Sequence, residues 1–204
     1  YLLDNMDSED VDYLLGLAYN TRNNHYGKAV YLRGLIEFSN YCKRECKYCG
    51  INTFNRDVKR YRMTKKEIVD TCKEGYKLGF RTFVLQGGED PYFTDKRICD
   101  IVKAVKKLFP DVAITLSLGE RPIESYRAMK FAGADRFLLR HETSNPGLYR
   151  WLHPFSSLDS RIGCLYSLKY TGFQTGAGFM VGLPWYTNKD YAHDLRFLKD
   201  LEPE

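Results

Sequence analysis

The sequence predicts an α/β fold: a parallel sheet curled into a partial (β/α) barrel, with five β/α units present and the C-terminal part missing. Two observations predict it. Short apolar runs alternate with helical periodicity through five units, which is the pattern of a parallel sheet covered by helices. The unusual chemistry falls after each apolar run: Cys42 to Cys49, Gly87 to Glu89, Ser117 to Glu120, Arg140 to Thr143, and Gly178 to Pro184. In a barrel such strand ends converge on one mouth, whereas an open doubly wound sheet concentrates its chemistry at one switch point.

The elements follow in order. Asp7-Ser8 precedes a helical stretch from about Glu9 to Arg22, with Val11, Leu14, Leu15 and Ala18 on one face and Gly27 closing it. Residues 1–28 are therefore expected to be an N-terminal helical segment, and residues 29–204 the barrel core. Ala29 to Phe38 reads as the first strand. Thr64 and Glu67 make a capping box for a helix to about Leu78, and Gly79 ends it. Arg81 to Leu85 is the second strand, with a helix from about Asp95 to Leu108 after it. Val112 to Leu116 is the third, followed by a helix from about Ile123 to Ala132 and then Gly133. Arg136 to Leu139 is the fourth, followed by a loop and a helix from about Ser157 to Tyr170. Phe173 to Gly178 is the fifth, and a last helix covers about Asn188 to Leu201. At least one more strand is expected beyond Glu204, and the absence of an initiator Met leads us to expect a piece of something longer.

The 204 residues suffice for one sizeable core and are too few for two large domains. Hydrophobic residues make up 44% and charged residues 28%, as in a globular chain, and no run of about 18 apolar residues suggests a membrane span. The net charge of +5 is mild and both signs are interspersed, which argues against a nucleic-acid partner. Lys59-Arg60-Tyr61-Arg62 is the densest basic patch. It reads either as a solvated loop before a helix or as an anion-facing strip. No secretory signal is visible, so a cytoplasmic, reducing setting is expected.

Three of the six cysteines, Cys42, Cys46 and Cys49, are bunched in a C-x3-C-x2-C pattern. Three thiolates can hold three irons of a cubane cluster and leave the fourth open, which is what a catalytic metal needs. Structural zinc wants four ligands in close pairs, and here a fourth is missing, since His25 and His141 are not at zinc-finger spacing. Cys72, Cys99 and Cys164 are expected to behave as small buried hydrophobes rather than ligands. Gly87 and Gly88 form either a tight turn or a place of close backbone approach. Gly176, Gly178, Met180, Gly182 and Leu183 read equally as a bent strand ending in a turn or as a wall of the site.

C-x3-C-x2-C with an aromatic, Tyr48, before the last Cys resembles the signature of radical S-adenosylmethionine (SAM) enzymes. That resemblance implies a [4Fe–4S] cluster on Cys42, Cys46 and Cys49 and SAM chelated at the open iron. It further implies that Gln86, Gly87, Gly88 and Glu89 contact the SAM amino group, and that Ser117, Glu142 and Arg161, with Tyr48, Met180 and Leu183, hold the rest. The blocks Ile36 to Asn40, Lys59 to Thr64, Gly88 to Tyr92, Thr115 to Glu120, Leu138 to Thr143 and Gly176 to Pro184 together resemble the HydE family of maturases of iron-only hydrogenase. That likeness implies a role in assembling the diiron H-cluster. The substrate would be a small molecule or an iron complex, faced by Thr115 and Arg140. The partners would be other hydrogenase maturases and an electron donor such as flavodoxin or ferredoxin. Methylornithine synthase or another biotin-synthase-like enzyme is the alternative, and a non-catalytic metal-binding module the more distant one.

Overall fold

The computed structural model describes residues 2–204. Its elements run α1 (Leu2–Asn5), α2 (Ser8–Tyr26), β1 (Gly34–Ser39), α3 (Lys65–Lys77), β2 (Thr82–Gly87), α4 (Asp95–Leu108), β3 (Ala113–Ser117), α5 (Ile123–Phe131), β4 (Arg136–Leu138), α6 (Pro146–Leu152), α7 (Leu158–Tyr170), β5 (Gln174–Gly176) and α8 (Asn188–Leu201). The five strands are all parallel and lie in the order β1-β2-β3-β4-β5. An order that never reverses has no switch point, so right-handed crossovers place every connecting helix on the same face. That is the partial barrel expected.

Strand alternation divides the two faces. Ile36, Phe38, Phe83, Leu85, Ile114, Leu116 and Phe137 point outward and are buried under Ile68, Ile98, Val102, Val105, Tyr126, Met129, Leu165 and Leu168 of the helices. Each such side chain contributes about 1.5–3 kcal/mol on burial. Cys72 and Cys99 belong to this core, and burial pushes the Cys72 thiol up to about 12. The inner face is polar. Register aligns Leu35, Val84, Thr115, Arg136 and Gln174 in one row, and Glu37, Gln86 and Ser117 in the row nearer the mouth.

Four expectations are corrected. The first strand begins at Gly34, not Ala29, because β2 starts at Thr82 and offers no partner to the residues before; Val30, Tyr31 and Leu32 are more than 70% exposed. The first long helix runs on to Tyr26, capped by the Asp7 side chain, and its apolar face buries no residue. The expected loop after β4 contains α6, started by Asn145 as cap and Pro146 at its first position. The fifth strand stops at Gly176, where its neighbour β4 also ends. The capping box at Thr64 and Glu67 and the bounds of α4 and α8 agree with the reading.

Two glycines in helices give opposite outcomes for one substitution. Gly75→Ala on α3 gains about 0.5–1 kcal/mol of helix propensity. Its new Cβ, however, falls 2.5 Å from Cε1 of the buried Phe83 ring. Overpacking costs about 1–3 kcal/mol, so the variant is expected to be destabilised. Gly163→Ala on α7 meets nothing within 4 Å and is expected to be stabilised by about 0.5–1 kcal/mol. Chemical denaturation of both variants measures the two signs.

Candidate active site at the strand ends

The cysteine loop leaves β1 and is held against the end of β2 from several sides. Ser39 Oγ donates to Asp90 Oδ2 at 2.7 Å, and Arg62 forks onto both oxygens of Asp90 at 2.7 and 3.0 Å. Burial raises the Asp90 carboxyl, but the Arg62 and Ser39 donors outweigh it and bring it below its ordinary range. The Lys43 N–H donates to Glu89 O at 3.1 Å. Gly88 permits the approach, since a Cβ there would lie 2.3 Å from Tyr41 O and 2.6 Å from Cys42 Cβ. Beyond Cys49, the Arg60 guanidinium donates to the carbonyls of Asn40, Ile51, Asn52 and Asn55 and closes the loop.

Cys42, Cys46 and Cys49 are free and half-buried. Burial raises the Cys42 thiol, and burial followed by the neighbouring Cys42 raises Cys46 to about 11. Among the described residues no three of His, Cys, Asp and Glu converge closely enough to hold a single metal ion.

Glu120 joins the mouth together. Arg161 Nε reaches its Oε1 at 2.7 Å, Arg44 Nη2 reaches its Oε2 at 3.3 Å, and Ser156, Ser160 and Tyr149 donate hydroxyls to it. Arg44 also binds Glu89 Oε2 at 2.7 Å. Burial pushes the Glu120 carboxyl up, but Arg161 and then Arg44 overcome this and leave it below its ordinary value of 4.5. Arg161 holds its charge despite burial because Tyr149 and Glu120 face it. Sequence reading marked Glu120 as part of a strand-end cluster without giving it a part. Its signal was position, three residues beyond the β3 end and beside Gly119, whose φ is 71°.

Glu142 follows β4 with a φ of 67° and is buried. Tyr48 Oη lies 3.2 Å from Glu142 Oε1 and 2.8 Å from His153 Nε2. Burial and then Arg161 lower the His153 imidazole to about 4, so it is neutral at pH 7. Its Nδ1 is buried without a partner. An orphaned lone pair is tolerated better than an orphaned N–H, so we assign the proton to Nε2. His153 then donates to Tyr48, and Tyr48 donates to Glu142. Glu142 Oε2 accepts no hydrogen bond, although Arg140 Nη2 stands 3.3 Å away.

The other predicted residues are distributed as follows. Gln86 and Ser117 are register partners on the inner face, and Gln86 Nε2 donates to Glu37 Oε1 at 3.1 Å. Thr115 is buried, with an unpartnered Oγ1, in the row behind them. Arg140 is 47% exposed and donates to Phe179 O at 2.9 Å, so it lies at the rim rather than deep inside. Met180 is bound to the Glu142 carbonyl through its N–H, while Leu183 sits further on, in a turn closed by the Tyr186 N–H. Glu142 and Arg161 do not pair with each other; each is buried with other partners. Arg136, missed in the sequence, points inward beside Thr115 and donates to Gln174 Oε1 at 2.6 Å. Alternation along its strand was the available signal.

Glu120→Gln leaves the buried Arg161 without its carboxylate and Arg44 with Glu89 alone, and is expected to cost about 3 kcal/mol at pH 7 by chemical denaturation. A carboxyl lowered by folding stabilises above its unfolded pKa, so the difference from the parent should shrink as pH falls below 4.5 and through the depressed folded value.

The family model described as the radical SAM superfamily matches residues 36–198. The [FeFe] hydrogenase maturase subunit HydE of Thermotoga maritima is 51% identical over 92% of this chain and 53% of its own length. The 3-methylornithine synthase of Methanosarcina barkeri is 32% identical over 89% of this chain and 52% of its own length. The crystal structure of methylornithine synthase (PylB) superimposes with a TM-score of 0.90 at 30% identity, over 99% of this chain and 60% of that one. That of the maturase HydG gives 0.84 at 22% identity, over 98% and 46%, a likeness of fold. The chain spans about half the length of the curated relatives it matches. It belongs to the radical SAM superfamily, whose cofactors are a [4Fe–4S] cluster and SAM.

Proposed function

We propose that this protein acts in assembly of the diiron H-cluster of iron-only hydrogenase, as a radical SAM maturase. The observation that carries the reading is the gap between 51% identity to the hydrogenase maturase and 32% to the methylornithine synthase over nearly the same span. The donor set fits the cofactors: three free thiols sit on one loop at the mouth, and the buried Glu142, bonded to Tyr48 of that loop, has a carboxylate oxygen that lacks a donor. When bound, the two cofactors supply reductive cleavage of SAM to methionine and a 5′-deoxyadenosyl radical.

The chain's own residues bind and orient. Cys42, Cys46 and Cys49 each hold one iron and leave the fourth without a protein thiolate. Backbone carbonyls of Gly87, Gly88 and Glu89, with Gln86, accept from the SAM ammonium. Glu142 Oε2 accepts from a ribose hydroxyl, while Tyr48 fixes Oε1, and Ser117 adds a hydroxyl nearby. Arg161 faces the methionine carboxylate with a charge that Glu120 keeps in place. Met180 and Leu183 give apolar surface to the adenine. Thr115 and Arg140 face the substrate, an anionic iron complex delivered by another maturase. Arg140 Nε and Nη1 have no partner among the described residues, which leaves them for an anion.

Anaerobic reconstitution with iron and sulfide, followed by SAM and dithionite, tests the reading. 5′-Deoxyadenosine is expected by mass spectrometry, and an iron–cysteine complex bearing cyanide and carbonyl should raise its yield. Cys46→Ala should drop both cluster absorption and product to background, while Cys164→Ala should leave them near the parent level. Turnover of lysine to methylornithine, with no response to the iron complex, would reassign the substrate.

A further inference from the structure

Asp194 on α8 is fully buried, and among the described residues no Lys or Arg pairs with it. An enclosed carboxylate needs donors in place of solvent. Those of Asp194 come from the segments that follow β4 and β5. The Ser144 N–H donates to Oδ1 at 2.6 Å, and His141 Nε2 lies 3.2 Å from the same oxygen. His141 Nδ1 is buried without a partner, which places the proton on Nε2, facing Asp194. Tyr186 Oη donates to Oδ2 and lies 3.0 Å from Thr143 Oγ1. His141 and Thr143 are themselves fully buried. Asp190, four residues earlier on the same face of α8, accepts from Asn145 Nδ2 at 2.8 Å.

Glu142 lies in the middle of this stretch, with its φ of 67°. Its own N–H and carbonyl are bound to Gly178 and Met180, on the loop 177–187 between β5 and α8. That loop has two left-handed residues, Gly182 and Trp185, and no regular structure of its own to stiffen it. Asp194 anchors both sides at once: His141 and Ser144 directly, and Thr143 and the loop through Tyr186.

We propose that Asp194 is a positioning residue for SAM, which clamps residues 141–144 so that Glu142 keeps its strained backbone and aims Oε2 at the ribose. The inference rests on the radical SAM reading above. Seating α8 on the barrel does not call for a carboxylate, since Leu201 and Phe197 already pack into the core. An apolar side chain at 194 would serve that purpose with less desolvation. What a carboxylate adds is direction, because it fixes several donors from two segments in one geometry.

The variants are Asp194→Ala, Asp194→Asn and Tyr186→Phe, with Val105→Ala as a control that opens a cavity in the outer core. Two properties are read. One is hydrogen–deuterium exchange of the cofactor-free protein over residues 141–145. The other is equilibrium dialysis of labelled SAM against the reconstituted, unreduced protein. Asp194→Ala should speed exchange there at least about tenfold and weaken SAM at least about tenfold. In dithionite-driven turnover its KM for SAM should rise in parallel, with kcat within about threefold of the parent. Tyr186→Phe should move both properties in the same direction by less. Asn at 194 still accepts from Ser144 and His141, and its amide donates to Tyr186, whose own proton turns to Thr143. That variant should therefore stay within about threefold of the parent. Val105→Ala should lose stability and leave both properties unchanged.

Parent-like exchange and SAM affinity in Asp194→Ala and Tyr186→Phe would overturn the proposal. So would an equal loss in Val105→Ala, which would make the effect one of stability alone. If Asp194→Ala does not fold, Tyr186→Phe against Asp194→Asn carries the comparison. A parent that takes up no SAM sinks the cofactor reading, and exchange over 141–145 still decides whether Asp194 is the clamp.

Discussion

The mouth of this barrel is organised around one buried carboxylate. Glu120 receives Arg161 from α7, Arg44 from the cysteine loop, and hydroxyls from α6 and the start of α7. The cysteine loop and the α6–α7 stretch are far apart in sequence and share no strand. Two guanidiniums in a desolvated place would repel each other, and one carboxylate between them turns that repulsion into a bracket. Arg44 extends the bracket to Glu89, so the β2 end is tied to the same centre. The loop carrying the thiols is therefore tied to the β3 end as well as to the β2 end.

The sheet beneath explains why such a bracket is needed. Strand order without reversal puts all the connecting helices outside, where they bury Phe83, Leu85, Ile114 and Leu116. The inner face then has no helix to fix its side chains. Charge pairs and hydrogen bonds take over that work along the inside and at the rim, as with Arg136 on Gln174 and Gln86 on Glu37. Such pairs are directional, so they also leave specific atoms unmet, among them Thr115 Oγ1 and Glu142 Oε2. Unmet buried polar atoms in a rigid wall are what a polar ligand can satisfy.

What could be read from the sequence was governed by how local its cause was. The Thr64 and Glu67 box, the α4 helix and the α8 helix are set by residues within a few positions, and each was legible. The start of β1 was not, because Val30 to Leu32 have strand-like side chains but face no neighbouring strand, and pairing is a tertiary fact. α6 was missed because seven residues carry too little periodicity, even though Asn145-Pro146 signals a start. In the site, the thiols, Glu89 and Glu142 were placed from strand ends, and Arg161 from the helical segment that follows β4. Their partners did not: nothing local links Arg161 to Glu120 across 41 residues, or Tyr48 to Glu142 across 94.

Glu142, four residues beyond the end of β4, holds a strained backbone conformation. A non-glycine residue at a φ of 67° costs of order 1–3 kcal/mol. Its backbone is held on both sides, the N–H by Gly178 O at 3.0 Å and the carbonyl by the Met180 N–H at 2.9 Å. Tyr48 adds a bond to the charged side chain. At about 0.5–1.5 kcal/mol for each neutral bond and more for a charged one, these contacts together match or exceed the strain. A glycine would relieve the backbone and lose the carboxylate; an extended glutamate would keep the carboxylate but lose the bracket with Gly178 and Met180. The strained conformation is the one that keeps both.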